Sequence, residues 1–491
     1  GKKNIGEEDL PKIEAEMKVI IARHEDFTRT ELSILDALKL FKKLTQPFKI
    51  ELITDVKKYG TTNYDEIQEE MGKKPKGKKP TKISVYQTGS FVDLCRGPHV
   101  KNTKELNPNA FKLTKISGAY WRGNEKNPQM TRIYGTAFET KEDLEGYVKL
   151  QEEIEKRDHR MLGEKLDLFS QHGIAPGAIF WHPKGMVLWR VLETLIRKKL
   201  DTSEYGEIST PVMVKKEVFE KSGHWTHYRE HMFTLKVDDE DYALKPMNCP
   251  ESTYIYASRL RSYRDLPIRY SEVTDKLHRN ELSGTLGGLF RVRQLSQDDA
   301  HIYCAPDQIE SEIHNLLNLI QEVYKEFDLP VSFTIATKPD KAMGAPALWK
   351  KAESALFAIL EKTGKPFLVK EKDGAFYGPK IDIHIKDVIG RDWQLATVQL
   401  DFQLAERFDL AYTDANGNKE RPVVIHRAIF GTFERFLGIL TEHYAGAFPF
   451  WLAPVQVAIL PVNDRVAEYC KNIQKTLEEK NIRVDLNEKN E

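Results

Sequence analysis

The amino-acid sequence predicts an α+β fold whose largest domain is organised on a mixed, largely antiparallel sheet. Strand-like runs at residues 331–336, 380–385 and 397–402 are separated mainly by turns rather than by regular crossover helices. Long amphipathic helices accompany them. Residues 187–200 put Val187, Leu188, Val191, Leu192, Leu195, Ile196 and Leu200 on one face, and residues 309–327 follow the same pattern. A chain of 491 residues also exceeds what a single compact core supports, so several domains are expected.

In order along the chain, residues 13–21 read as a helix and 48–53 alternate as a strand does, which suggests a small α+β domain over 1–140. Within it, Lys73-Lys74-Pro75-Lys76-Gly77-Lys78-Lys79-Pro80 has the composition of a solvated loop. Residues 141–168 are dense in Glu, Lys, Leu and Arg and lack proline, as a long exposed helix would be, and 141–169 reads as a linker. The main domain, 170–453, contains the helix at 187–200 and then a strand at 207–213 with Pro211 inside it. Proline removes a ladder donor, so this strand belongs at an edge or a boundary such as a subunit interface. Residues 454–491 read strand (455–460), helix (465–479) and strand (482–486). One βαβ unit cannot cover both faces of its own sheet, and the chain is therefore expected to end inside a domain.

Lysine plus arginine and aspartate plus glutamate both number 74, so no global field draws the molecule to a polyanion, and such a partner needs local patches. The four cysteines, Cys95, Cys249, Cys304 and Cys470, are widely spaced, which excludes a disulfide framework and fits a reducing compartment, the cytoplasm. The polar N-terminal residues have no signal-peptide core, and no apolar run is long enough for a bilayer; a soluble protein with no membrane partner is expected.

Three groups of residues carry chemistry. Cys249 in Lys245-Pro246-Met247-Asn248-Cys249-Pro250, His301 in Gln297-Asp298-Asp299-Ala300-His301 and His426 in Val424-Ile425-His426-Arg427-Ala428 make a three-ligand zinc set with a fourth position open to substrate. Their separation has no local metal spacing, and a buried cysteine or a hydrogen-bonded histidine is the commoner reading of each alone. Next, His278-Arg279-Asn280-Glu281, a turn-rich segment and Phe290-Arg291-Val292-Arg293 form a hairpin that gathers guanidinium groups. Arginine forks clamp phosphates, although an exposed basic tip explains the same residues equally well. Last, Gly431-Thr432-Phe433-Glu434-Arg435 opens a helix, whose N-terminus favours anions; a surface ion pair is the competing reading.

Together these pieces resemble class II aminoacyl-tRNA synthetases, and Lys245 to Pro250, Gln297 to His301, Gly374-Ala375-Phe376-Tyr377-Gly378-Pro379-Lys380 and His426-Arg427-Ala428 resemble the threonyl branch in particular. The resemblance covers essentially the whole chain, with the class motifs in order. It implies a class II antiparallel-sheet catalytic core, a partial N-terminal editing domain and the start of a C-terminal α/β anticodon-binding domain. By that resemblance Cys249, His301 and His426 bind one zinc ion per subunit, which takes the amino and hydroxyl groups of L-threonine. Asp299 is implied to hold the ammonium group, with Met247, Gln297, Tyr377 and Gln399 lining the amino-acid pocket. Arg279 and Arg291 are implied for the phosphates of ATP with its magnesium, and Glu281, Gln394, Thr397 and Arg435 for the nucleotide. His224 matches the histidine that assists proton removal when threonine passes to its tRNA. Leu295 stands where the class usually has an aromatic residue for adenine. A homodimer through the 187–200 helix and the strand ending at Pro211 is also implied.

The N-terminal unit resembles the domain that hydrolyses serine mischarged on threonine tRNA, with Asp93, Cys95, His99 and Lys49 matching half of its site. The other half, a His-x-x-x-His helix, is expected to precede the point where this chain begins. The chain is thus expected to be shortened at both ends and its editing impaired. Two other readings remain: a paralogue that keeps the fold without aminoacylation, against which the intact arginines and ligand set argue, and a seryl or prolyl specificity, against which the Cys249, His301 and His426 set argues.

Overall fold

The computed structural model describes residues 5–63, 67 and 80–487; the lysine-rich run 73–79 lies outside the described residues. Its contacts separate two units, Gly1–Glu152 and Glu153–Glu491. No helix among the described residues is long and apolar enough to cross a membrane.

The first unit packs helices Leu10–Ala22, Ile34–Lys43 and Pro47–Tyr59 with an antiparallel sheet of Phe27–Ser33, Lys82–Thr88 and Phe91–Leu94. Its small core is Ala37, Phe41, Ile53 and Val85. The strand expected at 48–53 is a helix instead. Six alternating residues fit either period, but Ile53 and Val56 continue a helical stripe, Pro47 suits a first turn, and Gly60 closes the helix at φ +85°. The linker is also not one helix. Lys141–Arg157 ends and His159–Lys165 (α1) begins anew, because the Asp158 carboxylate accepts the Arg160 N–H at 2.8 Å and so caps a second N-terminus. Far from being exposed, α1 buries His159 and Leu162.

In the second unit the chain continues through α2 (Pro183–Thr202) to eight strands of one sheet. These are β1 (Gly206–Glu207), β2 (Ile268–His278), β3 (Gln294–Cys304), β4 (Val331–Ala336), β5 (Phe367–Lys370), β6 (Lys380–Lys386), β7 (Asp392–Asp401) and β8 (Val423–Ala428). Their spatial order is β5-β4-β6-β7-β8-β3-β2-β1, antiparallel except for the outermost pair at each edge. Side chains alternate across a strand, so Ile381, Ile383, Val398, Leu400, Ile425 and Ile302 share one face. They meet α2, α3 (Ile309–Lys325) and α4 (Phe433–His443) in a single core. Among the described residues the last elements are a strand, a helix and a parallel partner strand, Val457–Ile459, Ala467–Glu478 and Val484–Leu486.

The strand expected at 207–213 breaks at Pro211. Gly206–Glu207 pairs with β2 at the sheet edge, whereas Met213–Lys215 joins a separate small sheet. The break is held by buried charge. Glu272 accepts the Thr210 N–H at 2.8 Å and its hydroxyl at 2.7 Å, and Lys245, fully buried, reaches Glu272 at 3.2 Å and the Thr210 carbonyl at 3.1 Å. Removing one member strands the other charge in a dry interior. Lys245→Met should therefore cost about 3–5 kcal/mol, whereas replacing both residues by apolar ones should cost far less. Urea unfolding of the single and double variants distinguishes these outcomes.

Candidate active site

The register of β7, β8 and β3 builds the floor of the site. Gln399 lies opposite His426, and His426 opposite His301, so three polar side chains form a row across the sheet face away from the core. Lys380 on β6 extends the row beyond Gln399. Two residues along on the same face come Asp299 and Thr397, and four along comes Gln297. Cys249 arrives from above, at the first turn of the helix Cys249–Ala257, whose Pro250 occupies an early position where no N–H is needed.

The three potential ligands converge: one ligand atom each from Cys249, His301 and His426 lies within 4.8 Å of the others, and all three residues are buried. Burial sets their protonation. It pushes the Cys249 thiol well up, with Glu251 and Asp299 adding to the effect, and pushes the His301 imidazole well down, helped by His426. The imidazole is therefore a neutral donor, and a metal would have to displace the thiol proton. His426 is oriented by Asp401, whose carboxylate lies 3.2 Å from Nε2. A thiol, two imidazoles and a second carboxylate shell fit a tetrahedral ion with one position free.

A pocket of about 320 Å³ opens over these groups, lined also by Met247, Gln297, Asp299, Tyr377 and Gln399. Asp299 accepts a hydrogen bond from Asn248 at 3.1 Å, and burial raises its pKa. The Tyr377 hydroxyl donates to Gln399, and Gln399 reaches Thr397 at 3.4 Å. His224 is 2% exposed beside this group, with Nδ1 2.8 Å from the Ser222 hydroxyl and Nε2 3.6 Å from the Cys249 sulfur. Burial, with His426 and His227 nearby, pushes its pKa down to about 3.

Arg279, Gln394 and Thr397 line the same pocket, whereas Glu281, Arg291 and Arg435 stand outside its lining. Glu281 and Arg291 pair at 2.8 Å, and the Arg293 Nε donates to the Glu281 carbonyl at 2.9 Å. Arg435 lies 5.5 Å from the centre of the Trp393 ring, and its Nε has no hydrogen-bond partner among the described residues. Burial first, and then Arg291, lowers its pKa. Leu295 is inside the apolar core.

Sequence reasoning missed Tyr228 and Asp401 and gave no site role to Phe376 and Lys380, which stand within the run from Gly374 to Lys380. In the structure Lys380, Tyr228 and Phe376 line the pocket and Asp401 orients His426. Asp401 had a usable signal, being two residues beyond Gln399 on one strand face; Tyr228 had none, since it comes from a short irregular segment. In the N-terminal unit the four expected residues form two pairs. Lys49 meets Asp93 at 2.6 Å, and Cys95 Sγ lies 3.2 Å from His99 Nε2, with His99 held between Phe27 and Tyr86.

Comparison with known proteins follows the same division. Residues 233–444 match the tRNA synthetase class II core domain (G, H, P, S and T), and residues 83–134 match the threonyl and alanyl tRNA synthetase second additional domain. The chain is 49% identical to a threonine-tRNA ligase of Acetivibrio thermocellus over 484 residues, 99% of this chain and 72% of that one. It is 48% identical to the ligase of Carboxydothermus hydrogenoformans, covering 99% and 73%. A solved domain of threonyl-tRNA synthetase from Cryptosporidium parvum, titled its RNA binding domain, superposes with a TM-score of 0.66 at 40% identity, covering 68% of this chain and 84% of that one. A threonyl-tRNA synthetase structure from Aeropyrum pernix gives 0.60 at 28%, covering 67% and 79%.

The buried carboxyl of Glu434, beside Arg435, yields a pH test. It accepts the Ser296 N–H at 3.0 Å, yet burial raises its pKa from 4.5 to about 7. Between those values the unfolded chain releases its proton first, so this group's contribution to stability is present below 4.5 and is lost as pH rises to about 7. From about pH 4 to pH 8, Glu434→Gln should gain on the order of 3 kcal/mol relative to wild type. Urea midpoints at both pH values check this; a constant difference would contradict it.

Proposed function

The chain belongs to the threonine-tRNA ligase family, and on that premise we propose that its pocket activates L-threonine with ATP, selecting the amino acid through zinc held by Cys249, His301 and His426. The observation that carries the reading is the convergence of one thiol and two imidazoles on the floor of a pocket that also holds Asp299 and Gln399. When bound, zinc supplies Lewis-acid contacts to the substrate amino and hydroxyl groups. Valine lacks the hydroxyl, and a site built to satisfy that group rejects the analogue without it far better than an apolar pocket does.

The remaining work falls to the chain's own residues. Asp299 accepts hydrogen bonds from the N–H groups of the substrate amino group, while Met247, Gln297, Tyr377 and Gln399 fix the side chain and carboxylate. A carboxylate oxygen then attacks the α-phosphorus of ATP in line, and pyrophosphate leaves. No protein nucleophile is needed, only placement and stabilisation of spreading negative charge. Arg279 meets the α-phosphate, Arg291 the outer phosphates with the magnesium of ATP, and Gln394, Thr397, Glu281 and Arg435 the nucleoside. In the second step a hydroxyl of the terminal tRNA ribose attacks the carbonyl carbon of the adenylate, and AMP leaves. His224, kept neutral by burial and with its pKa pushed down to about 3, is a weak base that assists by accepting a hydrogen bond from that hydroxyl while the proton passes on to the departing phosphate.

We extend the reading to a homodimer in the cytoplasm, joined through α2 and the segment ending at Pro211. The open sheet edge at Gly206–Glu207 supports that placement. In the N-terminal unit Lys49, Asp93, Cys95 and His99 make part of a site for hydrolysing seryl-tRNA.

Exchange of pyrophosphate into ATP tests the central reading. It should depend on threonine, fall by about two orders of magnitude or more with valine, and disappear with the bound metal in Cys249→Ala. Equal exchange with valine, or full exchange by metal-free protein, would defeat zinc selection.

A further inference from the structure

Outside the pocket, the residues 158, 159 and 442 form the second convergent group of titratable side chains among the described residues. Asp158, His159 and Glu442 are not free to take a metal. The His159 Nε2 accepts the Leu289 backbone N–H at 2.9 Å and so carries no proton. The proton therefore sits on Nδ1, which donates to Glu442 Oε1 at 2.6 Å. The same oxygen accepts the His159 backbone N–H at 3.0 Å, and the other carboxylate oxygen meets Arg391 at 2.5 Å. Asp158 is engaged with Arg160. His159 and Glu442 are only 3% and 4% exposed, so the bonds they make with each other and with the Leu289 N–H lie away from solvent.

Leu289 lies in the connection between β2 and β3, the hairpin that carries Arg279 and Arg291. Its neighbour Gly288 has φ +54°, and a Cβ there would come within 2.1 Å of His159 Nε2. Any side chain at 288 would thus push the imidazole off the Leu289 N–H. On the other side, the Phe290 ring lies 4.1 Å from the His159 ring and 4.7 Å from Trp393. Trp393 in turn faces Arg391 at 5.0 Å and Arg435 at 5.5 Å. Arg435, one of the arginines assigned to the nucleotide, is therefore seated on an aromatic block. The His159 imidazole, with a fixed tautomer, ties that block to α1, and the Arg391–Glu442 pair ties it to α4.

We propose that His159 is a positioning residue for ATP: through Glu442 on one side and the Leu289 N–H on the other, it sets where the hairpin holds Arg291 and how Phe290 and Trp393 support Arg435. The inference rests on the reading of that hairpin as the nucleotide clamp. Apolar packing alone would secure the hairpin's stability. A dehydrated imidazole–carboxylate–guanidinium set is costly to bury, and what it adds is a single geometry. Neither His159 nor Glu442 lines the pocket, so the effect on substrate is indirect.

The two ring nitrogens can be separated by substitution. Asparagine retains a donor near the Nδ1 position, toward Glu442, whereas glutamine reaches the Nε2 position and retains an acceptor for Leu289. Titration calorimetry of magnesium-ATP on the full 491-residue chain reads the result without reference to any amino acid. Kd should rise about tenfold or more in His159→Ala and His159→Asn and recover most of the way in His159→Gln. The KM for threonine in pyrophosphate exchange should change less than about twofold. An unchanged ATP Kd in the alanine variant would overturn the proposal, as would losses of ATP and threonine affinity that track Tm equally in all three variants. Should His159→Ala not fold, the asparagine–glutamine contrast decides alone. Wild-type protein that binds no ATP would instead sink the nucleotide reading itself.

Discussion

In the catalytic unit the pairing of three central strands governs everything else. Because the side-chain period of a strand is two, a slip of one residue between β8 and β3 would turn His301 or His426 into the apolar core and bring Ile302 or Ile425 to the pocket. The register is secured from the opposite face. Asp298, adjacent to Asp299 but pointing the other way, accepts the N–H groups of Ile429 and Phe430 at 2.9 and 2.8 Å and pairs with Arg427. Burial raises the Asp298 pKa to about 6, with Arg427 and those N–H groups opposing the rise. A buried carboxyl tied to two backbone N–H groups and an arginine on the core face thus holds the polar side chains in line on the other.

The same dehydration shapes the reactive face. Burial discourages charge on Cys249, His301 and Asp299 alike, so the site without metal is a set of reluctant ionisers waiting for opposite charge. On the proposed reading, a divalent ion would answer the thiolate, and the N–H groups of a substrate amino group would answer Asp299. Each desolvation penalty is therefore offset only when the right ligand is present, which ties specificity to affinity more closely than shape alone could.

Much of this was legible in the sequence, and the failures are as instructive as the successes. Long periodic helices such as α2 and α3 follow from their apolar stripes, and the antiparallel character of the sheet from its turns. The short window at 48–53 misled because six residues fit period two as well as period 3.6, and only burial of Ile53 and Val56 decides. The break after Arg157 was hidden because Asp158 reads as one more charged helix residue until its capping bond is seen. For the site, residue type named Cys249, His301 and His426 as donors, but distance along the chain said nothing of their meeting; that came from family resemblance first and strand register afterwards. Asp401, His159 and Glu442 act through other side chains, and such support leaves no motif.

The arginines show how a phosphate site can be assembled in advance without being closed. Arg291 is more than half exposed, and its pair with Glu281 is of the kind worth about 0–1 kcal/mol in water. A phosphate, with more charge and more acceptor oxygens than a carboxylate, can take over that guanidinium at little cost. Arg435 presents the opposite case, half-buried against Trp393 with an unpartnered Nε and a pKa lowered by burial. On the proposed reading its planar face is the one that meets an aromatic base. Leu295, withdrawn into the core, leaves that surface to Arg435. On the proposed assignment one arginine is exchangeable and the other is held against an aromatic ring, a division suited to a nucleotide whose triphosphate is cleaved and released while its base stays in place.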